Sequence, residues 1–296
     1  MGNGIRFKTI WIEKNSGLGK AMSVALENCS YDLVARMDSD DISDSRRFER
    51  QLKAFADKPE ADVIGGYMTE FVGDPDNITG VRTVRLNNEE IRADMKKRCA
   101  MNHVCVMFRK KAVMDAGGYL DWYCNEDYYL WIRMMQNGSV FANVPYVLVN
   151  VRTGSGMSSR RGGWRYFRSE RDIQKYMLDH GMIGVPRFLY NVAVRFCGEI
   201  LAPGWVRSLL YRMIRKSPGS VTDDAPEAKE SAAGHEPFSV IISVYGNDEP
   251  EWFDTAMTSI ISQTAVPDEI VLAVDGPVPD EITEVIGKYE AMCNGS

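Results

Sequence analysis

The chain has 296 residues, 45% of them hydrophobic and 26% charged, a globular composition that excludes overall disorder, collagen and extended coiled coil. No apolar run approaches the roughly 18–20 residues of a membrane-spanning helix, and the first thirty residues lack the charged-then-apolar pattern of an export signal. The net charge of −6 is unevenly spread: residues 151–216 hold 13 basic and 4 acidic side chains, whereas residues 217–296 hold 2 basic and 16 acidic.

Taken in chain order, Phe7–Ile12 reads as a strand, and Leu18, Ala21, Met22, Ala25, Leu26 and Cys29 mark one face of the helix that follows. Leu33–Met37 is the next strand, ending at Asp38-Ser-Asp-Asp41. A helix is expected at about 45–56, strands at 62–71 and 103–108, a helix at 127–137 and a strand at 146–151. Residues 165–216 form a basic amphipathic block. Phe188, Leu189, Val192, Ala193 and Phe196 share one predicted face, and after Pro203-Gly204 a second face carries Trp205, Val206, Leu209, Leu210 and Met213. Residues 217–236 are small, polar and acidic; they cannot bury enough surface to order themselves and read as a linker. Phe238–Tyr245 is then a strand, Trp252–Ile261 a helix, Glu269–Val274 a strand ending at Asp275-Gly276, and 279–290 a helix.

The two ends are complementary. Residues 237–296 give only two strand–helix units, too few for an open α/β domain, while residues 1–164 read as an α/β domain that starts at its third strand. Placing 237–294 ahead of residue 3 gives one alternating domain, so a circular permutation is expected, with 217–236 joining the former ends. The six cysteines show no Cys-x-x-Cys pair, which argues against zinc or redox chemistry and for a reducing, cytoplasmic setting.

In permuted order the chain resembles the family 2 inverting glycosyltransferases, above all those of bacterial capsule and exopolysaccharide synthesis. Four segments carry the resemblance: Ser239–Asp248; Asp268–Gly276; Asn15–Ala21 with Arg36–Asp41; and Asn125–Trp131. It implies a Rossmann-like nucleotide-diphospho-sugar transferase (GT-A) fold, a mixed and mainly parallel α/β sheet. It also implies Mn²⁺ or Mg²⁺, which suits carboxylate oxygens bridging to substrate phosphates. Asp40 is then the direct metal ligand and Asp38 a metal or ribose contact. Of the Glu126-Asp127 pair, Asp127 takes the general-base part and Glu126 lies beside it. Tyr245 and Asp275, at strand ends, are expected against the nucleobase, although the chain has Asp-Gly where many relatives carry two acids. Asn15 and Gly17 open a helix whose N-terminus attracts negative charge. Arg152 and Arg160, in a Gly/Ser-rich loop, suit a lid over the diphosphate. Asp248 reads as a loop acid, and His103 as a structural histidine.

The expected reaction moves a sugar from a nucleotide-diphospho-sugar, most simply a UDP-sugar, to a hydroxyl of a glycan or polyprenyl-diphosphate-linked acceptor. The basic helices 186–216 are expected on an anionic, cytoplasm-facing membrane surface. Two other readings stay open: a nucleotidyltransferase on the same fold, against which the acidic loop after Tyr245 argues, and a non-catalytic nucleotide-sugar-binding module. Nucleic acid is an unexpected partner, because the basic block carries no recognised motif and the whole chain is acidic.

Overall fold

The computed structural model describes residues 4–154, 162–202 and 235–295. The elements in chain order begin with β1 (Arg6–Ile12), α1 (Leu18–Glu27), β2 (Leu33–Asp38), β3 (Ile42–Ser43), α2 (Arg47–Asp57), β4 (Val63–Phe71) and β5 (Ile78–Arg82). They continue with α3 (Asn88–Met95), β6 (Met107–Arg109), α4 (Lys110–Asp115), α5 (Glu126–Gln136), β7 (Phe141–Arg152), α6 (Trp164–Asp179) and α7 (Val185–Phe196). After α7 come β8 (Phe238–Tyr245), α8 (Pro250–Ile261), β9 (Glu269–Asp275) and α9 (Asp280–Asn294).

All the strands form one mixed sheet in the order β1-β9-β8-β2-β6-β4-β7-β3, with β5 beside β4. Its first four strands are mutually parallel. Strands β8 and β9 are almost wholly buried. That explains their continuous apolar runs, since a central parallel strand is covered on both faces. On one side of the sheet α2, α8 and α9 bury Phe48, Phe55, Phe253, Met257, Ile260, Ile286 and Tyr289. On the other, α1, α3, α5 and α6 bury Met22, Leu26, Ile91, Trp131, Ile132 and Ile173.

Residues 235–295 therefore lie inside the sheet. Strand β1 has β9 as its neighbour, and two strands from the C-terminal segment separate it from β2. Read from β8, the four parallel strands stand in the order third, second, first, fourth, the arrangement of a nucleotide-binding half. Polar contacts reinforce the join. Glu269 is fully buried, yet its oxygens accept from Lys8 Nζ at 2.7 Å, Ser30 N at 2.7 Å and Ser239 Oγ at 2.7 Å. Burial raises its proton affinity, but these donors outweigh that and hold the carboxyl below its usual range. Asn294 bonds both backbone groups of Phe7 at 2.9 Å, and Gln263 Nε2 donates to Asp44 O at 2.6 Å.

The long periodic elements fall where the sequence places them, and the short ones differ. The expected strand 103–108 is a 3₁₀ turn at His103–Cys105 followed by the three-residue β6. The chain turns there because Cys105 N bonds back to Asn102 O at 2.9 Å, while Asn102 Nδ2 is tied to Gly66 O at 2.8 Å. Strand β7 starts at Phe141, five residues before the sequence expectation. Helix α7 also divides the expected apolar face: Phe188 and Phe196 turn toward the domain, whereas Leu189 and Ala193 are exposed. The linker 217–234, the second amphipathic face after Pro203 and the stretch 155–161 lie outside the described residues.

Candidate active site

The carboxyl ends of β1, β9, β8 and β2 are level. Ile12 pairs with Asp275, Asp275 with Tyr245, and Asp38 with Ser243. In an open α/β sheet this edge is where ligands bind, at the point where strand order reverses, here between β8 and β2. The start of α5 comes over the same edge. It can approach because residue 19 is glycine: a Cβ there would sit 3.3 Å from Leu120 O and 3.6 Å from Glu126 Cβ.

At the end of β2 the chain turns sharply, and carboxylate oxygens of Asp38, Asp40 and Asp41 come within 4.8 Å of one another. Asp248, from the loop after β8, completes the acidic group. Its Oδ2 accepts from Ser39 Oγ at 2.8 Å and Tyr245 N at 3.0 Å. Burial, then the charges of Asp38 and Asp248, push the Asp40 carboxyl up to about 6. Burial and the charges of Asp38 and Asp40 raise Asp41 well above the carboxylate range. Asp248 itself is pushed to about 6, mainly by burial.

Two arginines counter this charge. Arg36 is 2% exposed and forks onto Asp38, with Nη1 donating to Oδ2 at 2.6 Å and Nη2 to Oδ1. Burial alone would lower its proton affinity; the Asp38 contact reverses that and keeps it charged. Arg152, expected in a lid, is instead a strut. Its guanidinium lies 4.7 Å from the Phe71 ring centre and 4.5 Å from that of Trp252. Its Nε donates to Asp40 O at 3.2 Å, its Nη1 to Gly73 O at 3.1 Å, and its backbone N to Asp41 Oδ1 at 2.8 Å. The acidic turn is thus held from outside by a side chain wedged between β4 and α8.

Asp275 is 4% exposed, and its oxygens accept from Ser16 N at 2.8 Å, Ser16 Oγ at 2.8 Å and Gly17 N at 2.9 Å. It anchors the Asn15–Gly17 turn ahead of α1. Gly17 is required there by a φ of +86°, and Gly276 by a φ of +85° with Asn15 N only 2.6 Å from where a Cβ would stand. Asn15 is exposed and Tyr245 half-buried on this rim. Arg160 lies outside the described residues.

Glu126 and Asp127 open α5. Burial, then the charge of Asp127, raises the Glu126 carboxyl to about 7; Arg36 and Asp38 lie close enough to add smaller effects of opposite sign. At Asp127, Oδ1 accepts from Tyr128 N at 2.7 Å, and Cys99 Sγ lies 3.7 Å from Oδ2. His103 Nε2 is 2.9 Å from Tyr119 Oη, with the Trp131 ring 5.9 Å away. Burial, then the charge of Arg36, keeps its imidazole neutral. The cluster therefore holds two members that the sequence reading passed over, Asp248 and Arg36. Asp248 looked like any loop acid. Arg36 sat inside a strand pattern, where its spacing of two from Asp38, on the same strand face, was the available signal.

A family model described as glycosyl transferase family 2 matches residues 2–117. An uncharacterized glycosyltransferase of Haemophilus influenzae is 38% identical over 209 residues, which cover 71% of this chain and 78% of that protein. The chain belongs to glycosyl transferase family 2. Two further relatives widen the comparison. The amylovoran biosynthesis glycosyltransferase AmsE of Erwinia amylovora is 38% identical over 205 residues, 69% of this chain and 76% of that one. The UDP-Gal:alpha-D-GlcNAc-diphosphoundecaprenol beta-1,3-galactosyltransferase of Escherichia coli is 32% identical over 210 residues, 71% and 76% of the respective chains. As a family 2 member the chain is a glycosyltransferase, and its sheet is the Rossmann-like core of that fold.

Proposed function

We propose that the protein transfers a sugar from a UDP-sugar to a hydroxyl of a glycan or polyprenyl-diphosphate-linked acceptor, with inversion at the anomeric carbon and with a divalent cation. The convergence of Asp38, Asp40 and Asp41 on the ligand-binding edge, beside the Glu126-Asp127 pair, carries this reading. The same donor and acceptor classes stand in the printed name of the Escherichia coli relative.

The acidic cluster suits Mn²⁺ or Mg²⁺. It offers hard oxygen ligands, and the proton affinity of Asp40 is raised by burial and then by neighbouring negative charge that a cation would relieve. Asp40 is the principal ligand, because Asp38 already holds Arg36 and Asp41 holds the Arg152 backbone. A cation bound there supplies neutralisation of the charge that builds on the departing diphosphate.

The nucleotide lies along the strand ends, between Tyr245 and the Asn15–Gly17 turn that Asp275 holds in place. Asp127 takes the proton of the acceptor hydroxyl as the new bond forms. Glu126, protonated up to about neutral pH, keeps a second negative charge away from that base. Arg152 acts through the Asp40–Asp41 backbone, and Arg160 approaches the diphosphate. A single displacement gives a β-glycoside from an α-linked donor. Residues 235–295 serve as the first half of this same domain, in permuted order, and the enzyme works at the cytoplasmic membrane surface.

The test is a donor screen that reads nucleotide diphosphate release with and without Mn²⁺. Metal-dependent release of UDP in the presence of an acceptor is expected. Tight UDP binding with no turnover on any donor would leave the binding-module reading in its place.

A further inference from the structure

Helix α7 has two unlike sides. One is fixed to the domain. Asn191 Nδ2 donates to Lys96 O at 2.9 Å and to Gln174 Oε1 at 2.7 Å. Arg195, 2.5 Å from Glu170, also donates to Lys97 O at 2.8 Å, and the Phe196 ring packs on those of Phe167 and Trp164. The other side is apolar and uncovered by any described residue. Val185, Leu189, Tyr190 and Val194, with Trp164 and Leu201 at its margins, are 52–62% exposed. Large apolar side chains standing singly on a surface need no explanation; a run of them along one helix marks an interaction site.

We propose that this face of α7 is a docking surface for an anionic lipid bilayer. Charge argues for a lipid partner. On α7 itself Arg187 is exposed while Arg195 is paired with Glu170, and the sequence from 197 to 216 adds Arg207, Arg212, Arg215 and Lys216 against the single acid Glu199. The acid-bearing helices α8 and α9 pack on the opposite side of the sheet from the core under α6. A bilayer touching α7 therefore meets the cationic part of a negatively charged protein, with the acidic helices turned away. The shape agrees. A helix held along one side and convex on the other offers no groove for a peptide. It can sink its apolar residues to the headgroup boundary while cations meet lipid phosphates. The inference deepens the acceptor reading above and rests on it for its purpose, since a lipid-linked substrate is reached from the membrane surface; binding itself involves no transfer.

The experiment is vesicle flotation of the full chain, with phosphatidylglycerol-containing and pure phosphatidylcholine vesicles, comparing wild type with the Leu189→Asp/Val194→Asp double variant. Both positions are exposed, so the variant folds, which circular dichroism checks. Wild type is expected to float with the anionic vesicles. Flotation should drop at least about tenfold on phosphatidylcholine, at high salt, or in the variant. Brominated lipid should quench wild-type fluorescence more than that of Trp164→Phe. Transfer to a water-soluble acceptor should survive the double substitution. Three results overturn the proposal: no flotation of wild type; equal flotation of the variant, which moves binding elsewhere; or a lipid-free dimer that the variant converts to monomer. Flotation without transfer to any lipid-linked acceptor would remove the acceptor reading and leave the surface standing. Transfer to such an acceptor without flotation would do the reverse.

Discussion

The two acidic groups at the strand ends are built differently. Asp38, Asp40, Asp41 and Asp248 crowd one turn, with Arg36 beneath and Arg152 bracing the backbone from outside. Glu126 and Asp127 stand at a helix start, and Glu126, raised mainly by burial as Asp40 is, has Asp127 rather than a crowd of acids as its foremost like charge. The first group holds more negative charge than its arginines cancel. The second keeps a proton on Glu126 up to about pH 7. Like charges placed together call for a cation, and a carboxyl placed in a dry setting suits proton traffic.

The largest expected break in that contrast is Asp40→Ala. It should abolish metal-dependent UDP binding measured by calorimetry, while leaving a folded protein. Unchanged metal-dependent affinity would remove Asp40 from the cation site. In wild type, the same binding should weaken as pH falls through about 6, because the raised Asp40 carboxyl then takes a proton in competition with the metal.

Asp127→Asn should keep donor affinity and lose at least ~10²-fold in kcat, the low end of a general-base contribution. Near-normal turnover would shift the base to Glu126. The Glu126→Gln variant sharpens the other side of the comparison through stability. The native carboxyl binds its proton up to about 7, whereas the unfolded one releases it near the ordinary glutamate value. The native state therefore holds more protons between these limits, and wild-type stability falls as pH rises across them. Glu126→Gln should match wild type below about pH 4 and exceed it by up to ~3 kcal/mol at pH 8. Equal unfolding midpoints at both pH values would show that Glu126 is not held in a dry site.

The smallest expected effect is that of Arg152→Ala. It should cost on the order of 2 kcal/mol of stability through lost ring stacking and hydrogen bonds. It should also weaken Mn²⁺ binding several-fold, measured apart from turnover. Arg152→Lys should restore little, because an ammonium lacks the planar fork that bonds Asp40 O and Gly73 O together.

Much of the fold could be read in the sequence because its central strands are buried on both faces and its longer helices show one clear apolar stripe. Strand β8 runs over Phe238–Tyr245, as the apolar run alone indicates. The missed elements β3, β5, α3 and α4 have two, five, eight and six residues, too short to display a clear period. The acidic cluster was legible in its local members, Asp38 and Asp40. Asp248 was not, because it joins them across 208 residues of chain through Ser39. Arg152 was read as a loop cation because the rings that clasp it, Phe71 and Trp252, come from distant segments. Sequence spacing reports neighbours on one element and is silent about those brought in by the sheet.

The pairing of β1 with β9 has a kinetic consequence. Arg6 sits opposite Glu269, so β1 leaves the ribosome long before its partner β9 has been made. At about 5–20 residues per second that delay is on the order of 10–50 seconds. Contacts so distant along the chain also form slowly once both strands exist. During the wait, Phe7 and Ile10 have no sheet to enter, and the gap beside β2 stands open where β8 will later insert. The nascent chain therefore carries unpaired strand edges until β8 and β9 emerge.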